Sequence, residues 1–503
     1  MESDKTRIKV LLELLFLGLQ IHSLHGLRYN TERFVTKTPG GWMTVYRHSE
    51  NSTPIQHADT SETIGAVIDR IGFGRFQWRL MWLCGASWAA DAMEVLLIGF
   101  AIPSLMADWG LSREQGGLLA SVLFAGMLLG AWFWGQFSDY TGRRFSFITT
   151  IGIDSVFGFL SALAPSFPVL LVFRFLTGFG VGGTLPVDYA MFSEYLPTRN
   201  RGRYLVYLES FWALGTIAAA ALAWLIIPQF PEIGWRYLLA ASALPGLIVF
   251  WIRRAMPESP RHLLVKGQVD AARQVLQRVA RENGVELHIG ALTVEPRRSQ
   301  VPLRTIFAKQ YLTQTMMSTI VWFSLSLAYY GVFTWLPGIF RAQGFALLPV
   351  YQNTFLLALA QLPGYFSAAW LVEVIGRPRT LGLYLLGSAA ATYVFAVVSG
   401  TTDIILASIL MSFFALGAWG VLYAYTPELY PTSARGTGMG WAGGVARIAG
   451  ILAPLVGARL LDIDLTLALT TYAATFAVGG AAALLLGRET KDRPLSEVAP
   501  QRA

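Results

Sequence analysis

The feature that most constrains this chain is a series of about twelve apolar runs, each some twenty residues long, spread over residues 79 to 487. A helix of roughly twenty apolar residues matches the ~30 Å hydrocarbon core of a bilayer. The runs fall at 79–107, 115–137, 145–164, 168–191, 204–228 and 234–254, then at 310–340, 350–371, 379–399, 402–425, 437–461 and 465–487. Glycine and proline recur inside them, which membrane helices tolerate. Only 14% of the 503 residues are charged, against about a quarter in soluble proteins. The expected fold class is an all-α polytopic membrane protein with twelve transmembrane helices.

The net charge of +8 would suit a nucleic-acid partner, but its placement argues against one. Basic residues gather at 143–144, 199–203, 253–309, 377–379 and 488–493, between the runs. Positive loops mark the cytoplasmic side, so both termini and the segment between the sixth and seventh runs are expected there. Within that segment, "QVDAARQVLQRVAREN" (268–283) reads as an amphipathic surface helix. The one cysteine, Cys84, lies in an apolar run and excludes an intrachain disulfide. No phosphate-binding GxxxxGK[ST] loop, nucleophile elbow or metal-ligand cluster is present. The chain is therefore not expected to be an enzyme, to use ATP, or to need a cofactor or metal.

Residues 1–70 stand apart as a leader. "VLLELLFLGLQI" (10–21), after Lys5, Arg7 and Lys9, imitates a signal peptide but is too short to span and carries Glu13. It is read either as disordered or misassigned, with Met43 a plausible start, or as a membrane-contacting helix. The remaining divisions are a six-helix half at 71–254, a cytoplasmic linker at 255–309, a second half at 310–487 and a tail at 488–503.

Internal repetition supports the two halves. Asp139, Gly142 and Arg143 in "GQFSDYTGRR" match Glu373, Gly376 and Arg377 in "AWLVEVIGRPR" at an offset of 234. Glu194, Pro197, Thr198, Arg201 and Gly202 match Glu428, Pro431, Thr432, Arg435 and Gly436 at the same offset. Gly135 permits close helix approach. Asp139 and Arg143, with Glu373 and Arg377, lie at helix ends in the equivalent loops. Glu194 with Arg201, and Glu428 with Arg435, are expected to pair and to latch one face shut. The alternative is that the arginines only anchor topology.

Inside the first run, "WAADAMEVLLIGFA" (88–101) carries Asp91 and Glu94. Each costs about 2.5–3.5 kcal/mol at mid-bilayer, so each needs a partner or a purpose. Spaced three apart, they share one helix face. Asp154, Arg174, Asp188, Glu209 and Arg447 are the other ionisable groups at membrane depth. A carboxylate that exchanges arginine pairing for protonation is a proton carrier; a static ion pair is the alternative. Arg447 has no evident acidic partner in the second half, so a carboxylate ligand would suit its guanidinium. Pairing with Asp91 or Glu94 remains open. Tyr329, Tyr330, Trp419 and Tyr423 offer an aromatic surface near it, with Gln361 and Trp88 as further candidates.

The loop motif "GQFSDYTGRR" resembles the signature of the major facilitator superfamily, with Tyr140 where arginine is common. "RFLTGFGVGG" (174–183), "PESPR" (257–261) and "ETKDRPLSEV" (489–498) are similar to elements of its sugar-porter-like branch. "GFGRFQWRL" (72–80), "ADAMEVLLIGF" and "YLESFWALG" (207–215) look most like bacterial niacin transporters and related synaptic-vesicle transporter-like proteins. The resemblance implies the major facilitator fold of two six-helix halves, acting as a monomer in the lipid bilayer of a bacterial inner membrane. It also implies that Asp91 pairs with Arg174 for proton coupling. At the fifth-helix position where sugar porters carry glutamine this chain has Glu209, and its seventh helix is poor in amides. A proton-coupled importer of nicotinate is therefore the expected function. A carrier of a hydroxybenzoate, shikimate-like acid, organic cation or sugar is the alternative, and a non-transporting receptor is the alternative of another class.

Topology can be checked directly. An Asp270→Cys variant should resist membrane-impermeant thiol reagents applied to intact cells, and efficient labelling from outside would overturn the orientation.

Overall fold

The computed structural model describes residues 62–199, 201–241, 244, 256–293, 301–431 and 433–491. Eleven helices among the described residues are long and apolar enough to span a membrane. The first five are Arg75–Trp109, Arg113–Thr141, Arg143–Ala162, Phe167–Glu194 and Arg203–Ile226. The seventh to twelfth are Leu312–Ala342, Leu347–Ile375, Arg377–Val397, Thr401–Leu429, Arg435–Ile463 and Leu465–Leu486. The sixth expected run opens as the helix Gly234–Ala240, and most of the remainder of 234–254 lies outside the described residues. Eleven spanning helices and the opening of a twelfth agree with the twelve apolar runs.

Local chemistry sets the helix ends. Ser112 and Gln115 form a reciprocal capping box at the start of the second helix, and Asp464 caps the twelfth by accepting from the Leu467 amide at 2.7 Å. At the turns into the third and ninth helices, Gly142 has φ 101° and Gly376 has φ 91°. These backbone angles are costly for any residue with a Cβ. The two glycines occupy repeat-related positions, so the internal symmetry of the sequence reappears as one backbone conformation used twice.

Packing in each half relies on backbone contact. A Cβ on Gly178 would stand 2.0 Å from the Leu123 carbonyl oxygen, and one on Gly126 2.1 Å from that of Phe175. The second and fourth helices thus cross with no side chain between them. In the second half, Gly364 meets the Phe413 carbonyl oxygen in the same way at 2.3 Å, joining the eighth and tenth helices. Lipid supplies no hydrophobic force between helices, so such close dispersion contact carries the association.

The halves meet most tightly at the end away from the basic loops. There Gly99 lies against the Thr334 backbone and Gly117 against Pro454. Tyr351 donates to the Phe100 carbonyl at 3.1 Å, and Arg113 bridges to Asp462 at 2.9 Å and to the Leu461 carbonyl at 2.8 Å.

On the basic face the first helix overshoots the membrane. Its 35 residues are about 52 Å long at 1.5 Å per residue, against the ~30 Å core. Its protruding start is held by the linker. Asn283 accepts from the Phe76 amide at 3.0 Å and donates to Gln77 at 2.8 Å, and Arg79 pairs with Glu282 at 2.6 Å. The amphipathic linker helix forms over Val269–Glu282 and buries Ala272, Leu276, Val279 and Ala280. Part of the stretch read as leader joins this assembly. Glu62–Thr63 pairs in parallel with Leu292–Thr293, and the helix Ile64–Ile71 buries Ile64, Val67, Ile68 and Ile71. Alternating apolar residues at helical spacing, too few to span, explain why 62–71 folds on the surface instead. The 10–21 segment and Met43 lie outside the described residues.

Gly178→Val should overpack the helix crossing and destabilise the protein by about 1–3 kcal/mol, seen as a lower melting temperature in detergent. Gly152→Ala, with open space around it, should change nothing. Equal melting temperatures for both variants would contradict backbone contact between the second and fourth helices.

Candidate functional site

Five acids and one arginine are sealed into the first half: Asp91, Glu94, Asp154, Asp188, Glu209 and Arg174 are each at most 3% exposed. Arg174, on the fourth helix, donates to Glu94 Oε2 at 2.9 Å and to the Glu94 carbonyl at 3.3 Å. The expected Asp91–Arg174 pair is therefore not the one formed. Glu94 stands one turn further along the first helix and has the longer side chain, which brings its carboxylate to the depth of Arg174. Asp91 keeps the same helix face but turns to a central cavity, where its Oδ2 lacks a hydrogen-bond partner among the described residues.

That cavity is walled by both halves. From the first half come Trp88, Asp91, Phe124, Glu209 and Trp212. The second half supplies Tyr329, Tyr330, Tyr365, Trp419, Tyr423 and Arg447. Arg447 donates from Nη1 to its own helix at Gly443, 3.0 Å away, while its Nε is buried without a partner. It makes no ion pair among the described residues, so neither Asp91 nor Glu94 claims it. The aromatic wall is continuous: Tyr330 lies 4.6 Å from Phe124 and 6.2 Å from Trp419, and Trp419 lies 5.9 Å from Tyr423, ring centre to ring centre. Such a wall, mostly aromatic with a few aimed polar groups, suits a small planar ligand.

The structure thus gathers Arg447, Tyr329, Tyr330, Trp419, Tyr423 and Asp91 around one space. Gln361 is not part of the wall. It is buried and donates to Ser412 Oγ at 3.4 Å, tying the eighth helix to the tenth. Three aromatic wall residues, Phe124, Trp212 and Tyr365, are not among the sequence candidates, although helical spacing marks the last two. Tyr365 is one turn beyond Gln361, and Trp212 is three residues beyond Glu209.

The charged motifs on the basic face form two copies of one network. Arg143 contacts Asp139 at 2.8 Å and Glu194 at 3.5 Å; Arg377 contacts Glu373 at 3.3 Å and Glu428 at 3.1 Å. The expected pairs Glu194–Arg201 and Glu428–Arg435 are replaced by these. Arg201 instead donates to the Leu196 carbonyl at 2.8 Å and Arg435 to that of Pro427 at 3.0 Å. Both arginines satisfy carbonyls just past a helix end, where cations are favoured. A further acid completes each copy. Glu258 accepts from the Arg143 amide at 2.9 Å and Glu489 from the Arg377 amide at 3.2 Å, capping the third and ninth helices. Ser259 and Thr490 then donate to Glu194 and Glu428. Gly135 has open space beside it, so it is not a site of close helix approach.

Similarity to known proteins agrees with this geometry. Residues 50–501 match the family model described as Sugar (and other) transporter. The chain is 38% identical over 442 residues to the niacin transporter NiaP of Acinetobacter baylyi, covering 86% of this chain and 98% of that one. It is 32% identical to the synaptic vesicle 2-related protein of Xenopus laevis, covering 87% and 83%. The inward-open xylose transporter XylE of E. coli superposes with a TM-score of 0.68 at 16% identity, covering 84% and 99%. A family match over most of the chain, on a twelve-helix scaffold with a central cavity, makes this protein a member of the sugar transporter family of the major facilitator superfamily, a multi-pass membrane transporter and not an enzyme.

Proposed function

We propose that this transporter imports nicotinate, or a closely similar aromatic carboxylate, together with protons, by alternating access of the central cavity to the two sides of the membrane. The observation that carries the reading is Arg447. A guanidinium that faces an aromatic-walled cavity and makes no ion pair among the described residues is available to an anion, and a carboxylate matches its fork of donors. Tyr330, Trp419 and Tyr423 supply ring faces for a flat ligand. The resemblance to a niacin transporter points to the same class of ligand.

Coupling falls to the group Asp91, Glu94 and Arg174. Glu94 holds Arg174 in the pair seen here, and Asp91, on the same helix face, meets the cavity. A proton arriving through Asp91 would displace Glu94 from Arg174, and its release would restore the pair. Loading of the cavity and rocking of the halves then share one set of charges. The basic-face networks, with Glu194 and Glu428 at their centres, keep each half rigid and act as latches when that face closes. In this reading both termini lie in the cytoplasm.

The test is uptake into proteoliposomes under an imposed proton gradient, run beside substrate counterflow. The parent should accumulate nicotinate. Glu94→Gln should still exchange it, because exchange needs no net proton release, but should fail to accumulate it; gradient-driven accumulation by Glu94→Gln would remove Glu94 from coupling and leave Asp91→Asn to be measured in its place.

Arg447→Lys keeps the charge and loses the fork. It should weaken nicotinate binding about tenfold or more, since hydrogen bonds to charged groups are worth about 1.5–3 kcal/mol. Arg447→Ala should nearly abolish binding without lowering the melting temperature of the empty protein. Unchanged affinity in both variants would move the carboxylate site away from Arg447.

A further inference from the structure

Glu209 is the cavity group that neither carboxylate recognition nor the Glu94–Arg174 pair uses. It closes the short helix Arg201–Glu209, and the chain turns at Ser210 before the helix resumes at Phe211. This break projects its side chain into the cavity from the first half, while Arg447 enters from the second. Glu209 is 3% exposed and forms no ion pair among the described residues. The Tyr189 hydroxyl donates to its Oε1, and the Trp88 indole also lies within hydrogen-bonding reach of the carboxyl group. Tyr189 is itself held edge-on to Trp88, with ring centres 6.4 Å apart. Tyr189 thus fixes one carboxyl oxygen, and the carboxyl group lines the cavity. Tyr330 and Tyr423 lie within electrostatic reach of both Glu209 and Arg447, so one small ring against these tyrosines could address both charged groups.

We propose that Glu209 reads the ring nitrogen of the bound acid, making the site selective for pyridine carboxylates over benzene carboxylates. The inference rests on the aromatic-carboxylate reading above and deepens it. A neutral carboxyl group donates O–H to a pyridine nitrogen, and a carboxylate accepts N–H from a pyridinium. The two arrangements differ only in where one proton sits, so the contact forms with either. Tyr189 sets the orientation of the carboxyl group. A benzene carboxylate offers a C–H at that point and leaves a buried polar group unpaired. Sites built to hydrogen-bond a ligand atom discriminate strongly against analogues that lack it. An amide such as nicotinamide would keep the nitrogen contact and lose the charge that Arg447 requires.

Equilibrium binding of nicotinate, benzoate and nicotinamide to the full-length protein in detergent tests this. The parent should bind nicotinate at least about tenfold more tightly than benzoate. Glu209→Leu should close that gap by losing nicotinate affinity, with benzoate binding unchanged or tighter. Glu209→Gln, nearly isosteric and still able to donate N–H, should narrow the gap without closing it; it decides the matter if the leucine variant does not fold. Equal affinity of the parent for nicotinate and benzoate would overturn the inference and leave the aromatic-carboxylate reading standing. So would a gap that survives both substitutions, or one in which Glu209→Leu weakens both acids alike. A parent that binds neither acid would overturn the reading itself, and the inference with it.

Discussion

A charge buried in hydrocarbon must be answered by another group of the protein or its ligand, because no water reaches it. In this chain that demand fixes the relation of the first helix to the fourth. Arg174 has no exposed surface and is answered by both the side chain and the backbone of Glu94. Asp91 is displaced toward the cavity, and the fourth helix is held close enough to the second for glycine to meet backbone. Arg447 is the contrast in the second half, a cation that donates to the Gly443 carbonyl and makes no ion pair among the described residues.

Away from the membrane centre the same electrostatics recur in duplicate. Each half uses a left-handed glycine to turn sharply, an acid to cap the helix that follows, and an arginine to join neighbouring helix ends. The two copies differ in detail, Asp139 against Glu373 and Ser259 against Thr490, yet their connections are alike. Such networks make the basic ends of each half stiff.

The fold was largely legible in the sequence, because both the length of an apolar run and a constant repeat offset are one-dimensional quantities. The aromatic wall and Arg447 could be read for a related reason: polar and aromatic groups at membrane depth stand out against an apolar background. Pairings were less legible. Spacing shows that Asp91 and Glu94 share a face but not which of them lies level with Arg174, since that depends on the relative height of two helices. Glu194 and Arg201 are near in sequence and were read as a pair. The observed partner, Arg143, comes from a different turn that only the folded half brings close. Gln361 has the chemistry of a ligand-binding amide, but it serves as a tie between helices.

The fastening of the linker to both halves has a mechanical consequence. Residues up to 293 are secured to the first half through Asn283, Glu282 and the short parallel strand pair. The chain is taken up by the second half from Val301, whose carbonyl accepts from Thr437 at 2.9 Å, and Ile306, bound by Thr315 at 2.5 Å. Only residues 294–300 remain between these anchorages. Eight Cα-to-Cα steps, at about 3.3–3.6 Å each, reach at most about 26–29 Å. The linker is therefore a leash: while its anchorages hold, it sets an upper bound on how far the basic ends of the two halves can swing apart.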